Sequence, residues 1–202
     1  FHPGVRRHGG DVREQFGLEQ DEPLLLFASM DFEGKGLGSI LQALKSSGQR
    51  DAKLLVLGTG PAGRFRRLAG DLGIGNRVIF AGRQSGIERF YGAADLFILP
   101  SAYEPFPNVN LEAMACGTPV ITTRTTGGAD IIDDGHNGYL ISKMTAADEI
   151  TTSIDRHFSL SADQRQAMSN ACWATARQMT IAKNVEQTLD MFEEVLREKL
   201  CA

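Results

Sequence analysis

The sequence predicts an α/β domain: a single doubly wound parallel sheet of about six strands flanked by helices, with a helical C-terminal tail. Three observations carry that prediction. Short apolar runs of strand length alternate with helically spaced segments from residue 24 to about 160. The connections between them are short, and Gly, Pro or Asn punctuates most strand ends. No internal repeat and no second core interrupts the series, so one Rossmann-like domain accounts for it.

The elements follow in order. Residues 24–28, Leu-Leu-Leu-Phe-Ala, form the continuous apolar run of a strand buried on both faces. A loop over 29–36 leads to a helix at 37–44, with apolar residues at 37, 40, 41 and 44. A second strand, 52–58, runs into a glycine turn at 58–61 and a helix at 64–72 closed by Gly73. Residues 77–82 form a third strand. Residues 87–94 form a short helix with Ile87, Phe90 and Tyr91 on one side, and 96–99 a fourth strand. Helix 109–115 is stopped by Gly117 and Pro119. Strand 119–123, a single helical turn at 129–132 and strand 138–141 complete the sheet. Past residue 147 the pattern is helical, over 147–157, 162–178 and 181–199. The last helix carries Val185, Leu189, Phe192, Leu196 and Leu200 on one face.

Residues 1–22 are polar and Gly-rich, with helical potential only over 12–18. Arg6, Arg7, His8 and Arg13 make the segment locally basic. A solvated linker is the favoured reading; a crossover bringing arginines near an anionic ligand is the other. The domain division is then 1–22 as linker or crossover, 23–180 as ligand-binding domain and 181–202 as C-terminal helix.

A net charge of -4 argues against a nucleic-acid protein driven by bulk charge. Cys116, Cys172 and Cys201 lie far apart with no CxxC, which reads as reduced thiols in a cytosolic protein. No apolar run reaches the roughly 18 residues of a membrane span. The chain begins at Phe1 without a signal-peptide pattern, and the expectation is of a piece of a longer protein.

Three constellations carry chemistry. Gly58-Thr59-Gly60-Pro61-Ala62-Gly63 joins a strand to a helix, as a dinucleotide turn does. The acidic residue expected about 20 residues later is missing, and Arg77-Val78 stands there. A tight turn that can still line a nucleotide cleft is the better reading. In the loop 31–36, Lys35 lies between Gly34 and Gly36, next to a helix start. Glycine permits close backbone approach, and lysine supplies a point charge for an oxyanion such as phosphate. Glu104 sits in the loop beyond the fourth strand, and Glu112 lies eight residues later on the following helix. A glycosidase pair would hold two carboxyls about 5–9.5 Å apart. Alternatively, a helix carboxylate can accept two vicinal hydroxyls of a ribose, while the N–H groups near Asn108 and Val109 meet phosphate. Helix-dipole complementation is the bland alternative for either Glu.

Taken in order, the series is Lys35-Gly36, Gly58-Thr59-Gly60-Pro61, Val78-Ile79-Phe80-Ala81-Gly82, Ala94-Asp95, Pro100-Ser101 and the Glu104–Glu112 segment. Gly117-Thr118-Pro119-Val120-Ile121, Gly127 and Asp134-Gly135-His136-Asn137-Gly138 complete it. It resembles the C-terminal, donor-binding half of family 4 retaining glycosyltransferases, which have the GT-B fold. The likeness covers roughly residues 3–195, and the loop before Lys35-Gly36 is most similar to that of lipopolysaccharide inner-core glucosyltransferases. The resemblance implies a hexosyltransferase moving glucose from UDP-glucose to a glycan or lipopolysaccharide core acceptor. Lys35 would hold the donor diphosphate, Glu112 the ribose hydroxyls, and Glu104 the donor sugar. The backbone of Phe106, Pro107, Asn108 and Val109 would contact sugar and phosphate, with Gly58 and Gly60 lining the cleft. Glu104 and Lys35 are the candidate catalytic residues. No cofactor or metal is implied, since the nucleotide sugar is a substrate. The acceptor would bind through an N-terminal domain absent from this chain, with no nucleic-acid partner. The implied location is the cytoplasm, with peripheral association of the longer protein at the inner membrane. This fragment alone is expected to be inactive.

The sequence departs from the family at Ser29, where many members have Arg, and at Gly34, where the core glucosyltransferases have a basic residue. Arg6, Arg7 or Arg83 are the candidates to compensate. Pro105 and Pro107 replace the usual glycines around Phe106, and Asp130 stands near a common Glu. Three alternatives stay open: a GT-B sugar-nucleotide epimerase, a non-catalytic nucleotide- or sugar-binding module, and a flavodoxin-like signalling domain.

Overall fold

The computed structural model describes residues 1–105 and 107–200, without the side chains of residues 7, 8, 181, 182, 187 and 198–200. Six strands, β1 (Leu24–Ala28), β2 (Lys53–Leu57), β3 (Val78–Gly82), β4 (Leu96–Leu99), β5 (Val120–Thr123) and β6 (Gly138–Ile141), form one parallel sheet. Its order is β3-β2-β1-β4-β5-β6. The chain therefore steps outward from β1 to β3, returns to the other side of β1 as β4, and steps outward the opposite way. Right-handed crossovers in opposite directions put their helices on opposite faces. Accordingly, α2 (Leu37–Ser46) packs with α3 (Ala62–Asp71) and α6 (Ala147–Phe158). On the other side α4 (Ile87–Ala93) packs with α1 (Gly9–Gln15) and α5 (Asn108–Ala115), and α5 with α7 (Ala162–Ala176).

The expected single Rossmann-like sheet with flanking helices is what forms. Every residue of β1, β4 and β5 is buried, as continuous apolar runs between two helix layers require. On α2 the residues read as apolar, Leu37, Ile40, Leu41 and Leu44, face the sheet. Burying each such side chain contributes about 1.5–3 kcal/mol, which is why this stripe dictates the helix's roll.

The N-terminal segment corrects the solvated-linker reading. Residues 3–8 form a 3-10 helix and 9–15 form α1, and both pack on α4. Val5, Val12 and Leu18 are buried. Arg13 is buried too, and its guanidinium donates to the carbonyls of Glu19, Glu22 and Ala93 at 2.9, 2.7 and 3.1 Å and pairs with Asp95 at 3.4 Å. The charge that looked available to a ligand instead fastens the segment to the start of β4.

The apolar stripe of α8 (Ile181–Leu200) is present but has no cover: Val185, Leu189, Phe192 and Leu196 are all exposed. Leu200's side chain and Cys201 lie outside the described residues. No described helix is long and apolar enough to cross a membrane. Cys116 and Cys172 are free and buried, and burial pushes their thiols up to about 11 and about 12.

His157 on α6 is also buried, with Nδ1 3.3 Å from Tyr139 Oη and its ring against Phe158. Burial, and then the charges of Arg165 and Arg6, lower its pKa from 6.5 to about 4. In that interval the unfolded chain binds a proton that the folded chain refuses. The stabilisation is complete above the unfolded value and is lost as pH falls toward the folded one, a loss on the order of 3 kcal/mol. Urea denaturation of His157→Gln across the same interval should lack this part of the pH dependence.

Candidate functional site

The order of the strands reverses between β1 and β4, so a crevice opens beyond the carboxyl ends of these two neighbours. The loops after β1, β2, β3 and β4 and the start of α5 line a cavity of about 430 Å³ there. Lys35, Gly58, Arg83, Glu104, Pro107, Asn108 and Val109 all line it, although they are scattered over 75 positions from 35 to 109.

The loop after β1 is built around Phe32. Its ring is buried among Phe27, Phe65 and Phe80, with centroids 5.7, 5.9 and 6.5 Å away. Asp31 turns the chain above it, its Oδ1 accepting from Gly34 N–H at 2.9 Å. Gly36 has φ of 74°, and a Cβ there would lie 2.8 Å from Pro100 O. The glycine lets the loop lie directly on the end of β4. That contact delivers Lys35 to the opposite loop, where Nζ lies 2.5 Å from Glu104 Oε2 and 3.5 Å from Tyr103 O.

The loop carrying Glu104 is held at several points. Ala102 N–H donates to Gly34 O at 3.3 Å, Thr123 Oγ1 to Ser101 O at 2.6 Å, and Gly127 N–H to Glu104 O at 3.1 Å. Helix α5 then starts at Asn108 with Pro107 as its cap residue and no side-chain cap. Its first N–H groups are therefore left for a ligand or solvent at the positive end of the helix dipole.

Glu112 lies one turn further along α5 and outside the cavity wall. It is half-buried, and Tyr91 Oη donates to its Oε2 at 3.2 Å. Tyr91 is fully buried, and burial, then the charge and hydrogen bond of Glu112, raise its phenol far above the ordinary range. It is a neutral, fixed donor, and it leaves Oε1 of Glu112 and a second lone pair on Oε2 open. Glu104 and Glu112 thus have separate partners, Lys35 and Tyr91.

Of the two glycines in the turn after β2, Gly58 lines the cavity and Gly60 does not; Gly60 is pressed on the ring of Phe32. Arg83 is exposed at the cavity's side. Arg6 is not at this site: its guanidinium donates to Gly117 O at 3.2 Å and lines a different cavity. The candidate position Phe106 and the side chain of Arg7 lie outside the described residues. Among the described residues, no group of three or more His, Cys, Asp or Glu could hold a metal ion.

Gln84, Ile87 and Leu99 line the cavity without having been read as site residues, and Ser29 lines it where the sequence marked only a departure from the family's arginine. Only Ser29 had a local signal, its place in the loop after the first strand. Tyr91 was read as one of an apolar set, and nothing near it in sequence marks its hydroxyl for Glu112. Met30, 64% exposed, lines the cavity, and Tyr103, 76% exposed, stands beside lining Glu104. The assembled crevice joins a lysine, an arginine, an uncapped helix start and the carboxylate of Glu104, with that of Glu112 one turn further along α5. That set suits a ligand with both phosphate charge and hydroxyls.

N-acetyl-alpha-D-glucosaminyl L-malate synthase of Bacillus anthracis is 31% identical over 198 residues, 96% of this chain and 51% of that protein. The lipopolysaccharide glucosyltransferase WaaG of Escherichia coli is 31% identical over 141 residues, 68% of this chain and 38% of its own. The crystal structure of WaaG, a glycosyltransferase involved in lipopolysaccharide biosynthesis, superposes with a TM-score of 0.81 at 26% identity, over 95% of this chain and 51% of that one. The chain thus spans from 38% to 51% of these relatives' length. The family model described as "Glycosyl transferases group 1" matches residues 10–172, and with these relatives it shows that the chain belongs to the group 1 glycosyltransferase family, as one half of its GT-B fold.

Proposed function

We propose that this chain is the donor-binding half of a retaining hexosyltransferase. It takes glucose from UDP-glucose, for a glycan or lipopolysaccharide core acceptor held by a further domain. One observation carries the reading: Lys35, Glu104 and the uncapped start of α5 converge beyond the ends of β1 and β4. Lys35, the α5 amides and Arg83 take the diphosphate, Glu112 takes the ribose, and Glu104 lies by the sugar. Positive charge and helix-start amides then stabilise the leaving nucleoside diphosphate as the glycosidic bond breaks. No metal is needed for that role.

The Lys35–Glu104 pair does not oppose this. Its side chains are 20% and 27% exposed, so the two charges partly offset each other's desolvation until a ligand arrives. A diphosphate with two or more charges is a stronger partner for Lys35, and its arrival frees Glu104 to accept from sugar hydroxyls. Isothermal titration calorimetry with UDP, UDP-glucose, ADP and GDP tests the proposal. Saturable heat is expected with the uridine nucleotides, and no transfer is expected from the chain alone. A folded sample giving no heat with any nucleotide would sink the donor reading.

A further inference from the structure

We propose that the chain carries a second anion site, for a phosphate-sized oxyanion, in a cavity of about 180 Å³ lined by Arg6, His157, Arg165, Gln166 and Ser169. This cavity lies at the other edge of the sheet from the donor crevice. Asp95 and Pro119 in its wall immediately precede β4 and β5, whereas the donor residues follow the strands. A four-residue strand alone separates the two by about 13 Å.

The charge in this wall is not internally matched. Arg6 spends one N–H on Gly117 O at 3.2 Å, and Arg165 spends one on Leu160 O at 2.6 Å. Each guanidinium has five N–H donors. Among the described residues neither arginine has a carboxylate partner. The cavity's carboxylate, Asp95, is engaged by Arg13 at 3.4 Å and by Leu24 N–H at 2.8 Å. Arg6 is exposed and Arg165 half-buried, so two guanidinium groups line the cavity with their remaining donors open to solvent or to a ligand.

The second observation is His157, 2% exposed and part of the same wall. Its Nδ1 is with Tyr139 Oη at 3.3 Å, while Nε2 has no hydrogen-bond partner among the described residues. The bond between Tyr139 and Nδ1 can run either way; in the tautomer in which the neutral phenol donates to Nδ1, the imidazole carries its proton on Nε2. That makes Nε2 a third donor for an anion. The charges of Arg165 and Arg6 lower the imidazole pKa, which agrees with both guanidinium groups standing close to the ring.

Size selects the ligand. Water occupies about 30 Å³ per molecule, so the cavity, open to solvent on one side, holds a handful of waters, the scale of a phosphate group. Planar guanidinium groups favour phosphate geometry over halide. Arg165, Gln166 and Ser169 lie on the first turns of α7, and Arg6 on the N-terminal 3-10 helix. A bound oxyanion would tie that helix to α7. The source is free phosphate or the phosphoryl group of a monoester, and the inference is independent of the donor reading.

The test is NMR of the chain labelled on histidine and arginine side chains, titrated with inorganic phosphate and separately with glycerol 3-phosphate. Chloride at equal ionic strength is the reference. The His157 ring and the Arg6 and Arg165 Nε–H signals are expected to shift saturably with phosphate. Glycerol 3-phosphate shifting them equally identifies a phosphoryl group as sufficient; no shift with the ester restricts the site to the free ion. Arg165→Gln should weaken the apparent Kd at least about tenfold, as loss of a charge-assisted contact predicts, and Arg165→Lys should retain part of it. If phosphate moves only the Arg83 signal at the donor crevice, or if chloride reproduces the shifts, the second site does not exist. The wild-type titration alone decides this, whatever the folding of the variants.

Discussion

Glu112→Gln is expected to weaken UDP binding about 10- to 100-fold while leaving the fold intact. The carboxylate on α5 is offered as the acceptor for two ribose hydroxyls. Hydrogen bonds to a charged group contribute about 1.5–3 kcal/mol, which converts to that range of affinity. Glutamine keeps the shape and can still accept from Tyr91 Oη, 3.2 Å away in the wild type, so no buried hydroxyl is orphaned. Alanine would orphan it. A second ligand makes the experiment specific. 2′-Deoxy-UDP lacks one of the two hydroxyls, so the wild-type preference for UDP over it should collapse toward unity in Glu112→Gln. Tyr91→Phe provides an internal comparison. The ring keeps its edge contact with Phe97 at 5.3 Å, and only the fixed donor is lost. UDP should weaken about 2- to 5-fold, with part of the discrimination gone. Unchanged UDP affinity in Glu112→Gln would remove Glu112 from the ribose. Loss of affinity without change in the deoxy ratio would mean that the substitution acted through the helix.

The sheet was legible because its signal is local. Five apolar residues at 24–28 can only be a doubly buried strand when helices flank them, and α2 follows the 3.6-residue spacing within two residues at its end. The N-terminal segment was not legible, for an equally physical reason. What orders it is Arg13 reaching Ala93 and Asp95, some eighty residues away, and a Gly-rich polar stretch carries no sign of that. The same division runs through the site. Lys35 and Glu104 stand out as loop residues beyond strand ends. Their ion pair spans 69 positions and depends on the order of β1 and β4 in the sheet. The Tyr91–Glu112 contact depends on how α4 packs on α5, which periodicity does not report. The stripe on α8 was readable as a stripe, whereas the surface that would meet it lies outside this chain's own core.

Gly58→Ala is expected to cost at least about 4 kcal/mol, or to abolish soluble folded protein, the scale reserved for substitutions that force backbone apart. Gly58 has φ of 122°, where L side chains rarely go, and a Cβ built there falls far inside 3.0 Å of Ser29 O. The clash is with backbone, so no rotamer relieves it. Nor can either strand end yield alone: Ser29 N–H donates to Leu57 O at 3.1 Å, and Gly58 N–H to Gly82 O at 2.9 Å. Separating Ser29 from Gly58 would break the ends of β1, β2 and β3 from one another. It would also move the loop that delivers Lys35 to Glu104. The same turn contains its own control. Gly63 lies inside α3, and a Cβ there meets nothing within 4 Å. Gly63→Ala should be neutral or stabilise by about 0.5–1 kcal/mol, since glycine is the poorer helix residue. Urea denaturation of the two variants, followed by UDP titration of whichever folds, separates two meanings of this glycine-rich turn. If the glycines served a dinucleotide's pyrophosphate, Gly58→Ala would lose ligand while keeping its stability. If Gly58 exists to let β2 end against the loop after β1, stability falls first and nucleotide binding falls with it. A Gly58→Ala protein as stable as the wild type would refute the second account, and the crowding at Ser29 O argues that it will not be found.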